Sequence, residues 1–391
     1  MSTENMPVLL DGIRTAFGRY RGALAQTSSR QLKAAAIRAL LERQPELARC
    51  DGVLLGQVIQ AAQGQNPARL AAADGGVNLS VPAMTLNNVC LAGLASVSDA
   101  SRRIRAGEGS AYIVGGGDSM SRGPHAAVIR DGVARPSNVE FIDTTLSDGL
   151  WCSLGNEGMG ELSERVNAEL GIGRERQDEI AYRSQYLAAK ATNSGILAIE
   201  MAGVSIEGAN LSQDEGIRAD SSVEKLAKLQ PAFVAGGTIT AGNSSQMSDG
   251  ASIGAVTSMA VAERWGRKPL ARIVGFAEIA GPDNSLHLKP AMAIERAVAL
   301  SGLKISDIDL FEINEAFAAV VAASCDSLSI PLDVVNVNGG AIAVGHPLGG
   351  TGFRLLLTLA HELNRRQGRY GVASLCGGGG QGYAVVIERI N

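Results

Sequence analysis

The sequence predicts an α/β protein made of two related halves, and three observations carry that prediction. Short apolar or β-branched runs alternate with helical patterns over most of the chain, which implies mixed or parallel sheets with covered faces. Glycine is abundant, at 48 of 391 residues, while aromatic residues make up 4%, so backbone segments must pack closely or turn tightly. The third observation is an internal echo. Residues 81–117 run strand, cysteine-bearing turn, helix, strand and glycines, and residues 334–380 run strand, glycine-rich turn with His346, helix, strand and glycines.

Taken in order, residues 8–10 read as a first strand and 29–43 as a helix, followed by a strand at 53–58. Asn66 is placed to cap a helix with Pro67 in its first turn, running to about residue 75. Next come a strand at 81–86, a helix at 91–105 and a strand at 111–114. Leu94, Val97 and Ile104 share one face of that helix and charge appears only after Ser98, so its first two turns must be buried.

From residue 118 to about 246 the texture changes to two helical patterns, 157–169 and 174–194, joined by polar connections. Ile180, Tyr182, Tyr186 and Leu187 supply enough apolar surface for a folded subdomain that covers substrate rather than a tail. Alternation then resumes: helix 249–265, strand 271–277, helix 290–301, strand 309–313, helix 316–328, strand 334–337, helix 351–366, and strands 371–375 and 382–388. The expected division is 1–118 and 247–269 for the N-terminal half, 119–246 for the inserted domain and 270–391 for the C-terminal half.

Composition excludes several classes of function. A net charge of −4 and a pI near 5.7 argue against a general nucleic-acid or anionic-membrane surface. There is no run of eighteen apolar residues and no signal-like layout in residues 1–7, so a cytoplasmic protein is expected. The five cysteines are odd in number and contain no CxxC pair, and the four histidines lack metal-ligand spacing. Neither a disulfide framework nor a metal site is expected.

The chemistry centres on Cys90, which an apolar run delivers to a turn immediately before a helix of small and apolar residues. The helix dipole favours a thiolate by about 0.3–1 kcal/mol, whereas one pKa unit is about 1.36 kcal/mol, so the helix alone cannot activate the thiol. A catalytic Cys90 needs a base. The plain alternative is a buried structural cysteine. The internal echo puts His346 at the turn corresponding to Cys90, and the two turns would open on one cleft if the halves pack back to back.

Three further stretches stand beside Cys90: Asn314-Glu315-Ala316-Phe317, the glycine-rich 338–349 around His346, and Cys376-Gly377-Gly378-Gly379-Gly380-Gln381-Gly382. In this order and spacing they resemble the thiolase family, and the resemblance covers essentially the whole chain, including 64–69, 115–121 and 240–250. The resemblance implies a duplicated αβαβα layered fold with an inserted loop domain. It also implies acyl transfer between coenzyme A thiols, with coenzyme A as substrate and no bound cofactor or metal, in a homodimer or homotetramer.

By that resemblance Cys90 is the nucleophile that takes the acyl group, His346 its base, and Cys376 the acid/base at the α-carbon. His346 with a water held by Asn314 would form one oxyanion hole, and the backbone N–H groups of Cys90 and Gly378 the other. Arg218, Phe233, Ala241, Ser245, Met159 and Phe317 are the implied substrate or coenzyme A contacts. For Arg218 and Phe233 the plain alternatives are a solvated arginine and a core phenylalanine, and Asn314 doubles as a helix cap.

Some positions depart from the family pattern. Gly158 precedes Met159-Gly160 where acetoacetyl-specific members have histidine, and Leu286-His287-Leu288-Lys289-Pro290 replaces a Met-Gly-Thr-Gly-Pro run. Asp118 stands where glutamate is usual, Ser245-Gln246 looks like degradative members, and Leu91-Ala92-Gly93 follows the nucleophile where Gly-Ser-Gly is common. Acyl-chain preference and direction of reaction stay open. Two rivals remain: a decarboxylating condensing enzyme, which would want a second histidine at Asn314, and a non-catalytic acyl-CoA or lipid carrier, which would need none of the four site residues.

Overall fold

The computed structural model describes residues 3–129, 138–201, 205–206, 208–209 and 211–390. The parts of the expected inserted domain at 130–137, 202–204, 207 and 210 lie outside the described residues, as do 1–2 and 391.

In the N-terminal half, β1 (Pro7–Arg14) leads to α1 (Ser29–Arg43), whose N-cap Ser28 forms a reciprocal capping box with Gln31. Then follow β2 (Gly52–Gly56), α2 (Pro67–Asp74), β3 (Ala83–Leu86), α3 (Ala92–Ala106) and β4 (Ala111–Ser119). Asn66 caps α2 as expected, its side chain accepting from the Arg69 N–H. The excursion holds α4 (Met159–Leu170) and α5 (Arg174–Asn193), and the chain rejoins the sheet as β5 (Ser248–Ser258) and α6 (Met259–Arg264). The C-terminal half is β6 (Ala271–Ala280), α7 (Lys289–Leu300), β7 (Leu310–Ile313), α8 (Ala318–Leu328), α9 (Leu348–Arg366), β8 (Tyr370–Gly377) and β9 (Gln381–Arg389).

The sheet order is β7-β8-β9-β6-β1-β5-β4-β2-β3. It is symmetric about the β1–β6 seam, where Val8 faces Arg272 and Leu9 faces Ala271. On each side an antiparallel pair lies next to the seam (β1–β5–β4 and β6–β9–β8), and parallel pairing follows outward (β4–β2–β3 and β8–β7). A single parallel bridge from Phe311 to Val335 stands at the place of β3. The echo in the sequence is therefore a repeat in three dimensions.

Strand alternation sorts the apolar residues into layers. Val8 and Leu10, Val53 and Leu55, and Ala111 and Ile113 pack with α1 and α2, while Leu9, Leu54, Tyr112 and Val114 turn to the opposite face. There they meet α3, α9 and the facing residues Leu310, Ala373, Leu375, Val385 and Ile387 of the other half. Phe311, Ile313, Val372 and Val386 point away, against α7 and α8. Helices outside, the two halves of the sheet, and α3 with α9 between them make the five-layered arrangement. The two central helices nearly touch: a Cβ on Gly93 would lie 2.8 Å from Phe353 N, and one on Gly352 2.6 Å from Leu94 N.

Two elements differ from the sequence expectation. Residues 249–265, read as one helix, are β5 followed by the short α6. Every residue of β5 is buried, as in an interior strand covered on both faces, so no polar alternation betrays it. Its glycines admit neighbours instead: a Cβ on Gly254 would sit 2.0 Å from the Phe353 ring. The expected strand 334–337 is a 3-10 turn at Leu332–Val334 followed by the single bridge. The Asn336 amide takes the place of the backbone ladder, accepting from Ile313 N and donating to Ile313 O, both at 2.8 Å, with Asn336 at φ 47°.

Candidate active site

Cys90 sits between β3 and α3 on a strained turn. Val89 has φ 47°, a conformation that costs a β-branched residue on the order of 1–2 kcal/mol, and its N–H donates to the Asn87 carboxamide at 3.0 Å. Asn88 is tied across to Glu278 at 2.6 Å. Burial pushes the Cys90 thiol up to about 12, with the Asp118 carboxylate adding to the rise and a backbone hydrogen bond opposing it. The N-terminus of α3, worth about 0.3–1 kcal/mol, is too small to offset a rise of that size.

His346 precedes α9 in the corresponding place. Its backbone N–H is shared between Gln246 O and Ser248 Oγ, each at 3.1 Å. Nδ1 lies 2.7 Å from Thr351 Oγ1, whose own hydroxyl donates to Pro347 O at 3.1 Å. A hydroxyl has one proton to give, so Thr351 accepts from Nδ1–H and leaves Nε2 as the unprotonated, accepting nitrogen. Nε2 faces the Asn314 amide nitrogen at 3.5 Å. Burial, with Arg354 adding, lowers the imidazole to about 3, so it is a neutral base.

The glycine-rich stretch before His346 is held from behind. Glu315 is buried and accepts from Ser184 Oγ at 2.6 Å, Asn336 Nδ2 at 3.0 Å and Ile342 N at 3.0 Å. Gly340 must be glycine, because a Cβ there would lie 2.3 Å from Glu315 Cδ. Asn314 is fully buried, its N–H donates to Ser374 O at 2.9 Å, and its Oδ1 has no partner among the described residues. Cys376 ends β8 opposite; burial raises its thiol far above the usual range, and Cys90 raises it further.

The three elements meet. Cys90, His346, Cys376, Gly378, Met159, Ser245 and Phe317 line one cavity of about 60 Å³, together with Leu286. It opens into a cleft of about 440 Å³ that shares Met159, Ser245 and Phe317 and adds Leu146, Trp151, Gly158 and Phe233. Phe233 packs edge-on to Phe317 with ring centres 6.0 Å apart. Arg218 and Ala241 are exposed and line neither space; the Arg218 N–H is bound to Gln185 at 2.7 Å. Among the described residues no group of histidine, cysteine and carboxylate side chains could hold a metal ion, and no helix is long and apolar enough to cross a membrane.

Thr351, Val89 and Glu315 belong to this site and were not singled out from the sequence for these roles. Glu315 lies in a recognised motif, so its place was marked. Thr351 lies one helical turn past His346, and Val89 carries no signal at all.

The thiolase N-terminal domain model matches residues 8–260 and the thiolase C-terminal domain model matches residues 267–389. The chain belongs to the thiolase family. It is 42% identical to the acetyl-CoA acetyltransferase of Escherichia coli K12, over 98% of this chain and 99% of that protein. It is 43% identical to the acetyl-CoA acetyltransferase of Chromobacterium violaceum, over 96% and 97%. The crystal structure of the Bacillus anthracis acetyl-CoA acetyltransferase matches this thiolase with a TM-score of 0.94 at 35% identity, covering 98% of this chain and 99% of that one.

Proposed function

We propose that this thiolase moves an acyl group between coenzyme A thiols through a thioester on Cys90. The observation that carries the reading is the convergence of Cys90, His346 and Cys376 on one small cavity, with a neutral imidazole whose Nε2 carries the lone pair, in long contact with the Asn314 amide at 3.5 Å. In thiolysis Cys90 attacks the 3-keto carbonyl of a 3-ketoacyl-CoA while His346 Nε2 takes the thiol proton. The bond between the α- and β-carbons breaks, and Cys376 gives its proton to the departing acetyl-CoA carbanion. The incoming coenzyme A thiol then loses its proton to Cys376 and takes the acyl group, and the Cys90 sulfur recovers a proton from His346. Condensation is the same sequence reversed.

Because both thiols and the imidazole are neutral at rest, charge develops only as bonds change. The oxyanion donors therefore carry much of the stabilisation. We assign one hole to His346 and Asn314 with a water, and the other to the N–H groups of Cys90 and Gly378. Coenzyme A would lie in the larger cleft against Phe233, Phe317, Met159 and Ser245, with Arg218 and Ala241 reserved for its outer, nucleotide end. The reading extends to a cytoplasmic homodimer or homotetramer in fatty acid metabolism, organised as 1–118, 119–246, 247–269 and 270–391. A decarboxylating condensing enzyme is disfavoured because an amide, Asn314, rather than a second imidazole, faces His346.

The test is to mix the protein with coenzyme A and either acetoacetyl-CoA or longer 3-ketoacyl-CoA esters and follow ketoester loss. Turnover of at least one ester is expected, and the ranking sets chain length. No turnover with any ester would sink the reading.

A further inference from the structure

Behind the apolar wall of Cys90 lies a carboxylate with no part in the steps above. Asp118, near the end of β4, is fully buried. It accepts from Val58 N at 3.2 Å, Ile59 N at 3.0 Å and Gly349 N at 2.8 Å. Val58, Ile59 and Leu348 belong, with Met120, to the buried cluster against which Cys90 packs in this corner. Gly349 lies in the first turn of α9, three residues past His346. One carboxylate therefore fastens the loop walling the nucleophile in one half to the helix that follows the base in the other. Gly349 is glycine because the backbone must come this near: a Cβ would sit 2.9 Å from Asp118 Oδ2 and from Gly56 O.

The charged and titratable surroundings are few. Lys33 on α1 is fully buried and hydrogen-bonds to Gln57; burial pushes the Asp118 carboxyl up to about 6, and the three N–H donors and Lys33 oppose that rise, so Asp118 is ionised at about pH 8. Cys90 is near enough on the site side to feel its charge, with Cys376 beyond Cys90 and Arg354 further along α9, on the His346 side. Asp249, on the neighbouring strand, is occupied by Ser119 and Ser121. Three N–H donors and a lysine hold a negative charge next to a thiol, whereas activation of a thiol calls for positive charge.

We propose that Asp118 is a positioning residue that clamps the Cys90 wall to the His346 helix, and that its buried charge keeps Cys90 a thiol until acyl substrate and His346 remove the proton together. A protonated resting thiol resists alkylation and oxidation, so the enzyme trades standing reactivity for selectivity towards the thioester. The catalytic roles rest on the acyl-transfer reading, but the state of the Cys90 thiol is measurable without turnover.

The experiment alkylates the full-length protein with iodoacetamide, without acyl-CoA, and follows the Cys90 peptide by mass spectrometry. Asp118→Asn should react at least about threefold faster than wild type at about pH 8, since thiolate fraction rises tenfold per pKa unit while nucleophilicity falls more slowly. Asp118→Glu, which keeps the charge, should stay near wild type. A site that had merely loosened would speed up in every variant. In the thiolysis assay, Asp118→Asn should lower kcat about tenfold with KM little changed. Equal or slower alkylation of Asp118→Asn overturns the proposal; should that variant fail to fold, Asp118→Ser, which also removes the charge, takes its place with the same two outcomes. Absence of thiolysis in the wild type would overturn the function and leave this result standing.

Discussion

In the N-terminal half the chain travels from β4 to β5 through residues 120–247, whereas in the C-terminal half the matching step from β8 to β9 is the turn Gly378–Gly380. One half thus carries a long excursion that walls the cleft with Met159, Phe233 and Ser245, and the other has a tight turn that brings Cys376 and Gly378 to the cavity. The turns before the central helices differ as well. Before α3 the chain makes a short strained turn that presents a sulfur; before α9 it makes a longer buried loop, braced by Glu315 and Thr351, that presents a nitrogen with a defined tautomer. A duplicated scaffold supplies equivalent positions, and the local sequence decides which reagent each holds.

Four experiments break or sharpen that contrast. The largest effect belongs to the sulfurs. Cys90→Ala should lower turnover on the order of 10³-fold or more and abolish the acyl-enzyme in the mass spectrum. Cys376→Ala should still acylate from an acyl-CoA but fail to condense; equal loss of both steps would mean the two sulfurs do not divide the work. Next comes the tautomer: Thr351→Val removes the acceptor for Nδ1–H and should lower kcat about ten- to hundredfold with KM nearly constant, read from steady-state kinetics.

The glycine turn gives the third. Gly380 has φ 70° and a Cβ there would lie 2.0 Å from Asp283 O, while a Cβ on Gly378 meets nothing nearer than Met159 Cε at 3.3 Å. Gly380→Ala should cost about 2 kcal/mol or more in denaturant unfolding, and Gly378→Ala less than about 1 kcal/mol.

The smallest effect is the pH dependence of His346. Its folded-state value, about 3, lies below the unfolded value near 6.5, so the unfolded chain binds the proton first as pH falls. This contribution is complete above about pH 6.5 and is lost as pH drops towards 3. Relative to His346→Gln, the wild type should therefore lose up to about 2 kcal/mol between about pH 7 and 4.5, measured as a difference of urea midpoints. A constant difference would show that the imidazole is not held neutral.

Much of this was legible along the chain. Helix α1 begins and ends at the expected residues because Ser28 and Gln31 form a local cap that needs no tertiary partner. The stretches that hold Cys90, His346 and the glycine turn were legible as motifs, since each is a contiguous run with its own composition. What failed to read was governed by distant neighbours. The buried strand β5 has a helix-like composition because both of its faces are covered. The missing strand after β7 yields to a side chain, Asn336, that mimics a backbone.

By itself the sequence determined the α/β class, the repeat and the motifs that hold the proposed reacting groups, because periodicity, caps and short motifs act over a few residues. The tertiary structure decided their chemical state. Burial holds Cys90 and Cys376 as thiols and His346 as a neutral base, and the fully buried Asp118 joins the two halves behind them. These are effects of desolvation and of charges brought together from distant parts of the chain, so they exist only once the chain has folded.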